Sequence, residues 1–258
     1  MLMSKSILVI PDAQVKPGTD TSHLRWLGNY IVKKQPDIIV NIGDFADMSS
    51  LSSYDVGKKS FEGRRYSDDV EASQEAMATL LNPMAHLQHA QRSNKKKLYI
   101  PEMHLTLGNH ENRINRAIND DRKLEGLISV EDLQYEQFGW KVYPFLEVVT
   151  LCGINFSHYF ASGAMGRPAS TANAQLNRTH SSSISGHQQG LQIATGKRAD
   201  GQLLTSIIAG SFYLHDEEYL GQQGNNHWRG ALMLHGCNDG QFDLNLLPMR
   251  YLRAKYDY

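Results

Sequence analysis

The chain has 258 residues, 41% of them hydrophobic and 21% charged, with a formal net charge of -1. Such a composition excludes disordered and fibrous classes, and near-neutrality excludes a global basic field for nucleic acid, so any site for a polyanion must be local. Two cysteines far apart in the chain, Cys152 and Cys237, suggest neither a disulfide framework nor a thiolate metal site.

The start of the chain runs directly into a β-branched segment at 6–10 that ends in Pro11-Asp12, which predicts a buried strand delivering a carboxylate at its carboxyl end and no cleavable leader. Residues 22–34 place Leu24, Leu27, Ile31 and Val32 at near-helical spacing before Pro36, and a second strand over 37–42 ends in Gly43-Asp44. This strand–helix–strand order predicts an α/β arrangement with chemistry at the carboxyl ends of parallel strands. Residues 48–97 read as an insertion, a Ser/Gly/Lys/Arg-rich stretch followed by a long helix over 67–91. A third strand is expected at 104–107, broken by Gly108-Asn109, and a helix over 111–127.

Beyond Pro144 the pattern changes to short strands. A hairpin is expected between 147–151 and 154–158 through Cys152-Gly153, then a weak helix over 170–180 and strands at 182–185, 203–209, 231–235 and 242–247, the last pair joined at Asn238-Asp239-Gly240. The second half therefore reads as antiparallel β, and the whole as one domain of two face-to-face sheets with helices outside. Apolar runs fall well short of the roughly 20 residues a membrane helix needs, so a cytoplasmic protein without a membrane partner is expected.

Five polar clusters follow predicted strands: Asp12-Ala13-Gln14, Gly43-Asp44-Phe45-Ala46-Asp47, Gly108-Asn109-His110-Glu111, His158, and Gly186-His187-Gln188-Gln189. Singly, each is common; a lone His after an apolar strand is more often a hydrogen-bonded structural residue than a ligand. In this order they resemble the calcineurin-like metallophosphoesterases, whose motifs run Asp-x-His, Gly-Asp-x-x-Asp, Gly-Asn-His-Glu, a lone His, then Gly-His-x-His. The resemblance implies a four-layer α/β/β/α sandwich of two mixed sheets. It also implies two divalent ions and hydrolysis of phosphate esters by a metal-bridging hydroxide. Asp44 would bridge the ions. Asn109, His158 and His187 would complete the second site, and Asp12 would belong to the first. His110 would protonate the leaving oxygen, held by Asp47.

The first site departs from the family twice, since Gln14 and Gln189 stand where the family has His. An amide oxygen is a harder and weaker donor than an imidazole nitrogen, which turns preference towards Mn²⁺ or Mg²⁺ and away from Zn²⁺, with Fe, Co²⁺ and Ni²⁺ as further candidates. A looser first metal is expected. The Gly-His-x-His-like element resembles the phosphodiesterase and repair-nuclease branches, so a phosphodiesterase or nuclease acting on DNA or RNA is the leading expectation. A phosphomonoesterase and a catalytically weakened scaffold are the alternatives.

Arg64 and Arg65 in the insertion and Arg167 in the Gly-rich loop after His158 are candidate phosphate-binding residues, against the alternative of solvated loops. The stretch 213–229, dense in His, acidic, Asn and aromatic residues, is a candidate lining of the substrate cleft, with surface positions for His215 and His227 as the alternative. The segment from Tyr54 to Arg65 and the Asn225-Asn226-His227-Trp228-Arg229-Gly230 run also resemble calcineurin-like proteins of tailed bacteriophages, which would place the protein in the host cytoplasm.

Overall fold

The computed structural model describes residues 4–217 and 220–258. Strand β1 (Lys5–Ile10) is followed by helix α1 (Ser22–Lys34) and strand β2 (Ile38–Asn41), then by the long helix α2 (Tyr66–Ser93), strand β3 (Glu102–Thr106), helix α3 (Asn112–Asp120) and strand β4 (Lys141–Tyr143). Strands β1 to β4 lie parallel. The apolar run in β1 is continuous because the strand is buried on both faces. Ile7 and Val9 point to one core with Ile38 and Val40, while Leu8 and Ile10 point to another with Ile39. Helix α1 ends at Gln35, in the left-handed conformation with its N–H on the Ile31 carbonyl, and Pro36 prevents continuation.

The second half contributes β5 (Val149–Leu151), β6 (Ile154–Phe156), the short ribbon β7 (Ala161–Ser162) and β8 (Arg167–Pro168), helix α4 (Ala172–Thr179), β9 (Ser183–Ser185), β10 (Gln192–Lys197) and β11 (Leu203–Ile208). A short turn of helix α5 (Gly221–Gly224) precedes β12 (Gly230–Asn238), β13 (Gln241–Pro248) and helix α6 (Met249–Tyr256). Strands β12 and β13 return to β1, giving a mixed six-stranded sheet in the order β13-β12-β1-β2-β3-β4. A mixed five-stranded sheet runs β10-β11-β9-β6-β5.

The two sheets share a core in which Ile7, Val9, Ile38, Val40 and Leu232 meet Ile154, Phe156, Ile184 and Ile207. Helices α1, α2 and α6 cover the other face of the six-stranded sheet, and α4 packs Ala172 and Leu176 on Ala194 and Ile208 of the five-stranded one. The protein is thus a mixed α/β structure, and no helix among the described residues is long and apolar enough to cross a membrane.

The structure corrects two expectations. The second half is not simply antiparallel: β9 runs parallel to both β6 and β11, because the β6–β9 connection crosses over through α4. The helix over 111–127 closes at Asp120, and Asp121 instead caps a separate turn at Arg122–Leu124 through its side chain on the Lys123 N–H. Both hairpins form as expected. Cys152 and Gly153 have φ of 51° and 78°, and Asp239 and Gly240 have 47° and 77°, the positive pairs that a two-residue turn of the right twist needs.

Candidate metal centre

Asp12, Asp44 and Asn109 each lie just beyond the carboxyl end of one parallel strand, β1, β2 and β3, which brings them to one edge of the sheet. His158 follows β6 and His187 follows β9, parallel neighbours in the other sheet. The loops interlock at glycines. A Cβ on Gly108 would lie 2.0 Å from Asp44 Oδ1, one on Gly186 would lie 2.1 Å from Asp12 Oδ1, and one on Gly43 would lie 2.6 Å from Gly108 N. Gln14, Asp44 and His187 hold positive φ without being glycine, a costly conformation that surrounding contacts must enforce.

One of those contacts comes from Glu111, fully buried, whose Oε2 accepts the N–H groups of Asp44 at 3.0 Å and Gly108 at 2.9 Å while Oε1 accepts that of Ala46 at 3.0 Å. The last letter of the Gly-Asn-His-Glu motif therefore ties the two ligand loops together by their backbones. Sequence reasoning quoted the residue without assigning it this task.

Asp44, His158 and His187 form a cluster able to hold a metal, with ligand atoms all within 4.8 Å of one another. Asn109 completes it: its Oδ1 lies 2.9 Å from His158 Nε2 and 2.7 Å from His187 Nδ1. His158 tests whether a cation belongs here. Its Nδ1 is 2.9 Å from the Ile42 carbonyl oxygen, which only accepts, so Nδ1 carries the proton and Nε2 presents its lone pair to the centre. That lone pair faces Asn109 Oδ1 and Asp44 Oδ2, the latter 3.3 Å away. A half-turn of the Asn109 amide would offer a donor, but the carboxylate oxygen remains. Converging lone pairs in a buried pocket require a positive charge between them, a second proton or a metal ion.

The titration behaviour carries the same message. Burial works against charging His158, yet Asp44 and Asp12 raise its pKa to about 9. Burial raises Asp12 to about 8, with Asp44 adding to it. Burial opposes charge on Asp44 too, but His110 and His158 together lower its pKa. Burial and His158 lower His187 to about 4. A divalent ion would replace these shared protons.

His110 and Asp47 meet as expected, with Nδ1 2.6 Å from Asp47 Oδ1. Burial lowers the His110 pKa, but Asp44 and Asp47 outweigh it and the net shift is upward. Arg113, one helical turn on, was not anticipated: it donates to the Asp47 carbonyl at 2.7 Å and stands 3.3 Å from His110 Nε2. The i, i+3 spacing of His110 and Arg113 at a helix start was the available signal.

The residues expected at the first site join more indirectly. Both Asp12 carboxylate oxygens accept the His187 N–H, and Gln14 donates its N–H to the Asp44 carbonyl at 2.8 Å. The Gln189 Oε1 accepts the Tyr213 hydroxyl at 2.7 Å. Beside it, residues of the 213–229 stretch pack on one another: His227 Nε2 is 2.7 Å from Ser211 Oγ, and Glu217 bonds both His215 and Lys16. Glu218 and Tyr219 of that stretch lie outside the described residues. Among the arginines, Arg64 is engaged internally, with Asp55, the Ser49 and Ser60 carbonyls and the Phe61 ring, whereas Arg65 and Arg167 are exposed.

No protein-family model matches the chain. It is similar to the Gene 54 protein of Mycobacterium phage L5, 41% identical over 69 residues that cover 27% of either chain. It is also similar to the Gene 54 protein of Mycobacterium phage D29, 28% identical over 203 residues, 74% of this chain and 72% of that one. The chain thus matches about a quarter of the first relative's length and under three quarters of the second's. One solved structure aligns with 95% of this chain and all of its own at 11% identity and a TM-score of 0.40, too low a likeness to argue from. These relatives support a phage-encoded protein.

Proposed function

We propose that the protein is a divalent-metal-dependent phosphoesterase with the calcineurin-like sandwich that its motif order implies, acting as a phosphodiesterase or nuclease in the host cytoplasm. The observation that carries this reading is the convergence of Asp44, Asn109 and His187 on the unprotonated nitrogen of His158. Asp44, Asn109, His158 and His187 would hold one ion, and Asp12, Gln14, the shared Asp44 and Gln189 the other. The amide oxygens favour Mn²⁺ in the second of these sets. When bound, such ions activate water and neutralise charge on phosphoryl oxygens.

The chain's own groups supply the rest. Asp47 accepts the Nδ1–H of His110 and favours its protonated form, leaving the Nε2–H to be given to the departing oxygen. Arg113 fixes Asp47 through its carbonyl and keeps the pair in register. Glu111 holds the loops that present Asp44 and His110.

The test is a metal-by-substrate matrix on chelator-stripped protein, with bis- and mono-p-nitrophenyl phosphate and Mn²⁺, Mg²⁺, Co²⁺, Ni²⁺ or Zn²⁺. Hydrolysis of the diester, highest with Mn²⁺, is expected, falling by about 10²–10⁴-fold in His110→Ala at unchanged metal content. Preference for the monoester would move the protein to the phosphomonoesterases. Inactivity with every metal would leave a scaffold of the same fold.

A further inference from the structure

We infer that Tyr213 is a positioning residue for one of the two metal sites, fixing the Gln189 carboxamide so that its oxygen can serve as a ligand beside Asp12. The inference rests on the two-site reading above. Glutamine in place of an imidazole leaves three rotatable bonds to be ordered, and the structure contains what orders them. Tyr213 is fully buried, its ring stacked on His215 at 4.5 Å and covered on another side by the Arg229 guanidinium at 4.8 Å. The hydroxyl has little freedom, and it donates to Gln189 Oε1 at 2.7 Å. A carboxamide oxygen has two lone pairs, so accepting this bond leaves one for a cation.

The backbone around Tyr213 is tied to the same half of the centre. Phe212 donates its N–H to the Asp12 carbonyl at 2.7 Å, and Ser211 bridges to Asp12. A Cβ on Gly210 would lie 3.2 Å from the Gln189 carbonyl oxygen, so the two loops run in contact. Glu217, further along, bonds Lys16 of the loop that carries Gln14. The residues 210–217 therefore brace Asp12, Gln14 and Gln189, while Asn109, His158 and His187 are braced by Ile42, Asp12 and one another.

The experiment is Mn²⁺ titration of the chelator-stripped full chain, followed by electron paramagnetic resonance and calorimetry, on wild type, Tyr213→Phe and Tyr213→Phe/Gln189→His. Wild type should bind two ions. Tyr213→Phe should weaken one of them by about 10–100-fold, the usual effect of removing a partner that orients a ligand, and leave the other unchanged. The double variant, whose imidazole is rigid without the hydroxyl, should regain the weakened site. Weakening of both sites or of neither in Tyr213→Phe overturns the inference, as does failure of the double variant to recover. A wild type that binds a single ion overturns both this and the two-site reading. Two ions bound without hydrolysis of any phosphate ester would overturn the proposed reaction alone.

Discussion

Glu111 illustrates how much one side chain decides. Its carboxyl is raised in pKa by burial and by Asp44, a cost the protein carries because no neutral side chain offers two oxygens to three backbone N–H groups. Glu111→Gln turns one of those oxygens into a donor facing another donor. We expect a loss of about 1–3 kcal/mol in urea unfolding of metal-free protein, with weaker Mn²⁺ binding alongside; unchanged values for both would remove the clamp from the account. The glycines of the motifs have an equally concrete task. Gly108 and Gly186 are written into the sequence as motif letters, but only the contacts with Asp44 and Asp12 explain why no Cβ is allowed. At this scale the ligand types were legible because carboxylates, imidazoles and amides after strands have a recognisable chemistry. The supporting partners Arg113 and Tyr213 were not, since a side chain's aim depends on packing far away in the sequence.

At the scale of elements, α1 shows what periodicity can specify. Its bounds follow from apolar spacing and from Pro36, but its pairing with α2 depends on Gly28. A Cβ at that position would sit 2.4 Å from the Leu80 carbonyl oxygen and 2.9 Å from Pro83 Cγ. Gly28→Ala should therefore cost about 1–3 kcal/mol by overpacking, read as a lower urea midpoint, while metal stoichiometry is retained because these helices lie on the outer face of the sheet. Loss of metal at unchanged stability would contradict this. The hairpins were equally legible, each turn needing two positive φ values that Gly and Asp or Cys can supply. The five-stranded sheet was not. Strands β5, β6 and β9 have three residues each, too few to show a period, and parallel pairing follows from the crossover rather than from the strands themselves.

For the whole molecule, the consequence of this layout is that residues following β1, β2 and β3 of one sheet and β6 and β9 of the other meet at a single centre. An ion held there links the sheets and binds the folded chain only. Mn²⁺ at a hundredfold excess over Kd should add about 2.7 kcal/mol of stability, a rise of about 2–4 °C in Tm for each kcal/mol, seen by calorimetry. Asp44→Asn should abolish the rise; the same rise in that variant would place the ion elsewhere. The order of polar clusters at strand ends, the α1 boundaries and the two hairpins are properties of local sequence, because spacing and turn chemistry act over a few residues. The mixed second sheet, the Glu111 clamp, the His110–Arg113 contact and the hold of Tyr213 on Gln189 were decided by the tertiary structure, because each joins groups whose approach is set by the packing of the two sheets.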